Sequence, residues 1–379
     1  MIAVEQKIIG PEGDYRALDS WIKDNAGSGS VMLVCDSSLN FIAGISRHLA
    51  KLERNGIKIL RFSRFVSNPL YDSVAEGTEL FRKEACKAII AIGGGSAIDV
   101  AKCIKLYCNM QPGTDYLAQK IVPNEVPFLA MPTTAGTGSE ATRYAVIYRD
   151  GSKQSIAHES CIPGTVLFDS SALSTLPEYQ RKSTMMDAFC HAMESFWSVN
   201  SNDESFLYSR KAMQGIMENM DSYLANLPDG NTGMLMAANM AGRAINITQT
   251  TGGHAMCYKL TSMYGIAHGH AAILCDRALF PWMAENADSS GLCSDYRGIA
   301  QVKRAFEAIA NSMGCKSVSE AADKCESIFR MLGLAVPEAS EKDIAELAGS
   351  VNPVRMKNHP MRLDRNTIEI LYRRILKSS

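Results

Sequence analysis

Hydrophobic spacing divides the chain into two parts of different character. Short apolar runs alternate with helical patterns in the first. VMLVCD (31–36), residues 58–62, CKAIIAI (86–92), residues 127–131 and TVLFD (165–169) read as strands. Residues 41–55, 71–84 and 98–108 have helical spacing. A strand–helix–strand rhythm of this kind predicts parallel pairing with helical crossovers. Residues 145–148 and 155–157 predict a hairpin turning at Asp150-Gly151. Beyond about Ser170 long helical patterns take over, at 184–198, 204–225, 232–249, 273–285, 298–313, 318–332, 341–349 and 366–377. The expected fold is an α/β domain with a mostly parallel sheet over residues 1–172, then an all-α domain over 173–379.

Composition narrows the class. The 379 residues are 46% hydrophobic and 21% charged, as in ordinary globular proteins. A net charge of −1 gives no global field for nucleic acid or an anionic membrane, so neither is expected as a partner. The eleven cysteines are scattered, odd in number and without a C-x-x-C pair, which argues for reduced thiols in a cytoplasmic protein. MIAVEQKIIG at the start lacks the pattern of a signal peptide, and no apolar run reaches membrane-spanning length.

Candidate chemistry concentrates in Thr184–His270. TMMDAFCHAMESFW has a helical apolar stripe, and it places Asp187 and His191 four apart on one face with Glu194 on the same stripe. A buried carboxylate beside a buried imidazole needs a partner. GGHAMCYKLTSMYGIAHGH adds His254, His268 and His270, so four of the chain's seven histidines lie in this stretch. One carboxylate with several neutral imidazoles suits a divalent transition metal such as Fe or Zn. The competing reading makes Thr184-Met-Met-Asp187 a capping box that only starts a helix.

Phosphate-binding features occupy the first part. Gly93-Gly94-Gly95-Ser96 lies between a strand and a helix, where backbone N–H groups and the helix start favour an anion, and Asp99 follows one turn later. The turn is not G-x-G-x-x-G and follows the third strand, so a simple Rossmann fingerprint is absent. Thr133, Thr134 and Thr137 fall in PTTAGTGSE (132–140), a hydroxyl-rich strand end. Asp36 ends the first strand, where a carboxylate can accept from a ribose 2′-OH and repel a 2′-phosphate.

GGGSAIDVAK (93–102), PTTAGTGSE (132–140), MDAFCHAMES (186–195) and HAMCYKLTSMYGIAHGH (254–270) together resemble the iron-containing alcohol dehydrogenase family, in its order and at its spacings. The resemblance implies a dinucleotide-binding domain followed by a helical metal domain, and since binding sites favour domain interfaces the active site is expected in the cleft between them. It implies metal ligands Asp187, His191, His254 and His268, and a divalent ion, Fe²⁺ ahead of Zn²⁺. NAD(H) would lie along Asp36, Asn68, Gly93, Gly94, Gly95, Ser96, Asp99, Thr133, Thr134, Thr137 and Lys153. Where many members carry a second histidine for proton relay, this chain has Tyr258, followed by Lys259; His270 is the alternative relay.

The implied reaction is hydride transfer between a nicotinamide and a small alcohol or aldehyde. The sequence looks most like the family's phosphonoacetaldehyde reductase branch, which implies a dianionic substrate held by cations. Arg143 and Lys259 are the expected contacts, ahead of Arg355 and Lys357 in NPVRMKNHP (352–360). The alternative within the family is a general short-chain alcohol, lactaldehyde or propanediol dehydrogenase. A lyase of the dehydroquinate synthase type shares the overall plan, but its metal set is expected to include a glutamate and fewer histidines. A non-catalytic metal- or nucleotide-binding protein is a third reading. A homo-oligomer, a dimer first, is expected.

Overall fold

The computed structural model describes residues 6–10 and 14–378. Residues 1–5, on which part of the N-terminal reading rests, lie outside the described residues. Two compact units emerge, one running through Leu176 and taking in Asn226–Leu235, the other comprising Pro177–Ala225 and Met236–Ser379.

The first unit contains β1 (Lys7–Ile9), α1 (Arg16–Ala26), β2 (Val31–Cys35), α2 (Ala43–Arg54), β3 (Ile59–Phe62), α3 (Tyr71–Lys83), β4 (Ala88–Gly93), α4 (Gly95–Tyr107), β5 (Phe128–Pro132), β6 (Tyr144–Arg149), β7 (Ser152–Ala157) and β8 (Thr165–Leu167). Six strands form one parallel sheet in the order β1-β8-β5-β4-β2-β3. β2, β4 and β5 are buried throughout, which explains their unbroken apolar runs. Alternate side chains serve opposite faces. Met32, Val34, Ile89 and Ala91 pack with Val74 of α3 and Ile104 of α4. Val31, Leu33, Ile90 and Ile92 pack with Leu18 of α1 and Ile45 and Leu49 of α2. The expected hairpin is present as β6–β7, with Asp150 and Gly151 both at positive φ (50° and 72°), as a two-residue turn between twisted strands demands.

The second unit is built from α5 (Glu178–Trp197), α6 (Asp203–Leu224), most of α7 (Pro228–Thr248), α8 (Gly252–Tyr264), α9 (His268–Glu285), α10 (Ile299–Ser312), α11 (Val318–Leu332), α12 (Glu341–Ser350), α13 (Pro353–Met356) and α14 (Arg365–Ile375). A short parallel pair, Glu338–Ala339 with Lys377–Ser378, is its departure from an all-helical plan. α5 is buried all round from Met185 to Trp197, the pattern of a central helix. All eleven cysteines are free thiols. Among the described residues no helix is long and apolar enough to cross a membrane.

Candidate active site

In the first unit the strand order reverses between β2 and β4, since β3 lies to one side of β2 and β4 to the other. Ligands of open parallel sheets bind beyond the carboxyl ends of strands at such a switch point. Asp36 follows β2 and Gly93 ends β4, and the two meet there. A Cβ at Gly93 would stand 2.8 Å from Asp36 Oδ2 and 2.6 Å from Ala97 Cβ. Asp36 Oδ1 accepts from Ser38 N at 2.8 Å, leaving Oδ2 at the crevice. The N-terminus of α4 opens at Gly94-Gly95, and the threonines flank it. A Cβ at Gly94 would touch Thr134 at 3.6 Å, and one at Gly95 would press Thr137 at 3.2 Å. Thr133 reaches Ser38 across 3.3 Å, Oγ to Oγ1. Backbone amides, hydroxyls and one carboxylate thus converge at the switch point, groups of the kind that bind a pyrophosphate and a ribose.

The remaining expected cofactor residues are Asp99, Asn68, Lys153 and Ser96. Asp99 is turned into the protein: Oδ1 accepts from Ser139 Oγ (2.6 Å) and Oδ2 from Val146 N (2.9 Å). Burial pushes its carboxyl up, against the nearby Lys102 charge. Asp99 therefore positions the threonine turn and β6. Asn68 is exposed with φ 58° in the turn before α3. Lys153 lies half-buried on β7, with its charge felt at Asp99. Ser96 is half-buried in the first turn of α4.

In the second unit Asp187 and His191 share the inner face of α5 as their spacing predicts, with His191 Nε2 3.8 Å from Asp187 Oδ1. Thr184 sits mid-helix and donates to Gln180 O at 2.9 Å, which removes the capping-box reading. His254 comes from the first turn of α8, its Nε2 3.4 Å from the same Asp187 oxygen and its ring stacked on His191 at 4.6 Å. His268 opens α9. Donor atoms of Asp187, His254 and His268 all lie within 4.8 Å of one another. Ligands held about 2 Å from a divalent ion stand roughly 3–4 Å apart, so the donor set fits such an ion. Gly269 makes the approach possible, because a Cβ there would strike Ser183 O and stand 2.7 Å from Asp187 Cβ. Burial would raise the Asp187 carboxyl, but the surrounding His191, His254 and His268 outweigh it and hold it low.

Behind His254 stands Glu194, fully buried. Its Oε1 accepts from His254 N (3.0 Å) and from the Nδ1 side of the ring, and Oε2 accepts from Thr251 N and Thr251 Oγ1 (2.6 Å). A foreign carboxylate thereby caps α8 and fixes a ring proton on Nδ1, so that Nε2 is the nitrogen facing Asp187. Burial would lower the His254 pKa, yet Glu194 and Asp187 raise it to about 10. Asp276 of α9 lies beside Glu194, filling the space over Gly253. Burial, then the Glu194 charge, pushes its carboxyl well up, which favours the neutral form. Sequence reasoning noted Glu194 on the α5 stripe but did not find its partner, and Asp276 gave no signal.

Tyr258 joins the cluster and His270 does not. The Tyr258 ring lies 5.5 Å from the His268 ring, and burial pushes its phenol up. His270 has Nδ1 at 3.0 Å from Tyr179 Oη and Nε2 at 2.8 Å from Ala335 O, which commits both nitrogens to packing. The expected substrate cations are also accounted for. Arg143 Nη1 donates to Glu159 Oε1 at 2.6 Å and Nη2 to Tyr144 Oη at 3.1 Å. Lys259 pairs with Glu346 at 2.8 Å. The cation beside the cluster is Arg355, whose Nη1 donates to Tyr258 Oη at 2.7 Å.

A glycine-rich switch point in one unit and an Asp–His cluster in the other suit a metal-dependent dehydrogenase. The chain belongs to the iron-containing alcohol dehydrogenase family, matching its iron-containing alcohol dehydrogenase domain over residues 5–170 and its C-terminal domain over 182–376. It is an NAD-linked oxidoreductase of alcohols and aldehydes. The phosphonoacetaldehyde reductase of Streptomyces viridochromogenes is 31% identical over 312 residues, 78% of each chain. The sulfoacetaldehyde reductase of Bilophila wadsworthia is 29% identical over 336 residues, 86% of this chain and 84% of that protein. A crystal structure of sulfoacetaldehyde reductase from Bifidobacterium kashiwanohense with NAD+ superposes with a TM-score of 0.82 at 24% identity, covering 98% of this chain and 96% of that one, a likeness of fold.

Proposed function

We propose that the protein reduces phosphonoacetaldehyde to 2-hydroxyethylphosphonate, using NADH and one divalent metal, Fe²⁺ ahead of Zn²⁺. The convergence of Asp187 and His254, both buried, with the half-buried His268 carries the reaction class. The reductases of anionic aldehydes among its relatives support the substrate.

Asp187, His191, His254 and His268 would hold the ion, which when bound supplies Lewis acidity to the carbonyl oxygen. The hydride is the nicotinamide's. This chain's residues do the rest. The amides of Gly94 and Gly95 and the hydroxyls of Thr133, Thr134 and Thr137 would seat the pyrophosphate, and Asp36 the ribose. Glu194 holds the His254 proton on Nδ1, so that Nε2 would be the nitrogen to lose its proton and ligate the ion. Tyr258, kept protonated by burial, would give its Oη proton to the reduced oxygen, while Arg355 occupies a lone pair of that Oη.

A kcat/KM panel with NADH, covering phosphonoacetaldehyde, sulfoacetaldehyde, propanal and lactaldehyde, tests the reading alongside elemental analysis. The phosphonate should lead by a wide margin, and His268→Ala should lose metal and turnover together. Full activity of metal-stripped protein would overturn the metal. Equal or better turnover of neutral aldehydes would leave a general alcohol dehydrogenase.

A further inference from the structure

We propose that Arg355 is the residue that receives the substrate's anionic head, with Tyr258 as its platform. The inference rests on the anionic-aldehyde reading above.

Arg355 sits on the single turn α13, which Pro353 and the Asn352 side chain fix from below, Asn352 Oδ1 accepting from Val354 N at 2.8 Å. Its guanidinium carbon stands 4.5 Å from the Tyr258 ring centroid, and Nη1 donates to Tyr258 Oη at 2.7 Å. The same ring lies 5.5 Å from the His268 ring, so Arg355 and His268 are both neighbours of Tyr258. Arg355 is half-buried, and among the described residues no carboxylate pairs with it. That sets it apart from Arg143 and Lys259, each closed off by a glutamate at 2.6 and 2.8 Å, while Lys357 is exposed. A partly desolvated cation without a counter-charge is costly unless a ligand supplies one.

The chemistry of the substrate fits this placement. In a two-carbon aldehyde the carbonyl carbon is one methylene from the phosphorus or sulfur. A group that holds the head while the carbonyl meets the Asp–His cluster must itself stand beside that cluster. Guanidinium donors beyond the one spent on Tyr258 are left for a forked contact with a tetrahedral anion. The ring beneath keeps the plane in place, so little side-chain freedom is lost on binding.

The test uses metal-loaded wild type, Arg355→Gln and Arg355→Lys. It measures the kcat/KM ratio of phosphonoacetaldehyde to propanal, the same ratio for sulfoacetaldehyde, methylphosphonate binding by calorimetry, and metal content. Arg355→Gln should lower the wild-type ratio roughly 10- to 100-fold and remove methylphosphonate binding. Arg355→Lys should recover part of both, as a point charge without the fork. A merely structural role would slow all aldehydes alike and leave the ratios in place. A larger wild-type ratio for sulfoacetaldehyde, lost in Arg355→Gln, would make the head a sulfonate and still support Arg355. Anion preference that survives in Arg355→Gln, with metal content intact, overturns the inference and leaves the functional reading standing. Wild type without any anion preference overturns the functional reading, and the inference with it.

Discussion

Glu194 holds His254 at two points, accepting from its backbone N at 3.0 Å and from its ring at Nδ1. One carboxylate thus sets both where α8 begins and which ring nitrogen faces Asp187. Outer partners of ligating histidines typically contribute 10- to 100-fold to metal affinity.

Glu194→Gln keeps the shape and removes the charge. Its expected effect is a 10- to 100-fold rise in metal Kd, measured by chelator competition, with turnover recovering as metal is raised. Unchanged affinity would confine Glu194 to helix capping.

Asp36 should set the nicotinamide preference. Its Oδ2 faces Gly93 at the switch point, where a ribose hydroxyl can be accepted but a 2′-phosphate meets like charge. At ~4 Å and an effective dielectric near 20 that repulsion is about 4 kcal/mol, before screening by salt. Wild type should favour NADH over NADPH in kcat/KM, and Asp36→Gly should narrow the gap. NADPH preference in wild type, unaltered by Asp36→Gly, would place Asp36 away from the ribose.

Much of this was readable in advance, and the misses have physical causes. The strands of the sheet announced themselves because they are buried on both faces. Asp187 and His191 were legible as a pair because four residues is one helical turn. The helix α8 was not, since Gly252-Gly253 is a poor helix start by propensity. Tertiary packing reverses that preference, as a side chain at Gly253 would collide with Asp276. α9 likewise begins at His268, ahead of the expected 273, because Gly269 lets it touch α5. α1 carries Leu18, Ile22 and Ala26 at helical spacing and was passed over, and β1 is only three residues long. The contrast between Arg143 and Arg355 lies wholly in which carboxylates fold beside them, which spacing along the chain does not encode.

Tyr258→Phe separates proton supply from metal binding. The phenyl ring can still pack on His268, but the hydroxyl is gone. Turnover should fall by about 10²- to 10⁴-fold, the usual worth of a positioned acid, with metal content unchanged. Wild-type kcat in Tyr258→Phe would move the proton to another group.

His359 should make the fold acid-sensitive. Its ring is 1% exposed, and among the described residues neither ring nitrogen has a hydrogen-bond partner. Burial pushes its pKa down to about 4, with Glu194 opposing only in part. An unfolded histidine titrates near 6.5. Between those values the unfolded chain takes up a proton that the folded one refuses. The stability contribution is therefore complete above pH ~6.5, lost progressively as pH falls to about 4, and constant below. Carboxylates held low in the fold, such as Glu194 at about 2, add their loss only below the ordinary glutamate pKa near 4.3, so the two windows are separable. From pH 7 to 5 the histidine accounts for roughly 2 kcal/mol. His359→Leu, which cannot titrate, should lose that much less than wild type over the same interval, read from urea denaturation at each pH. Equal pH dependence in the two proteins would mean that His359 is solvated or paired in solution.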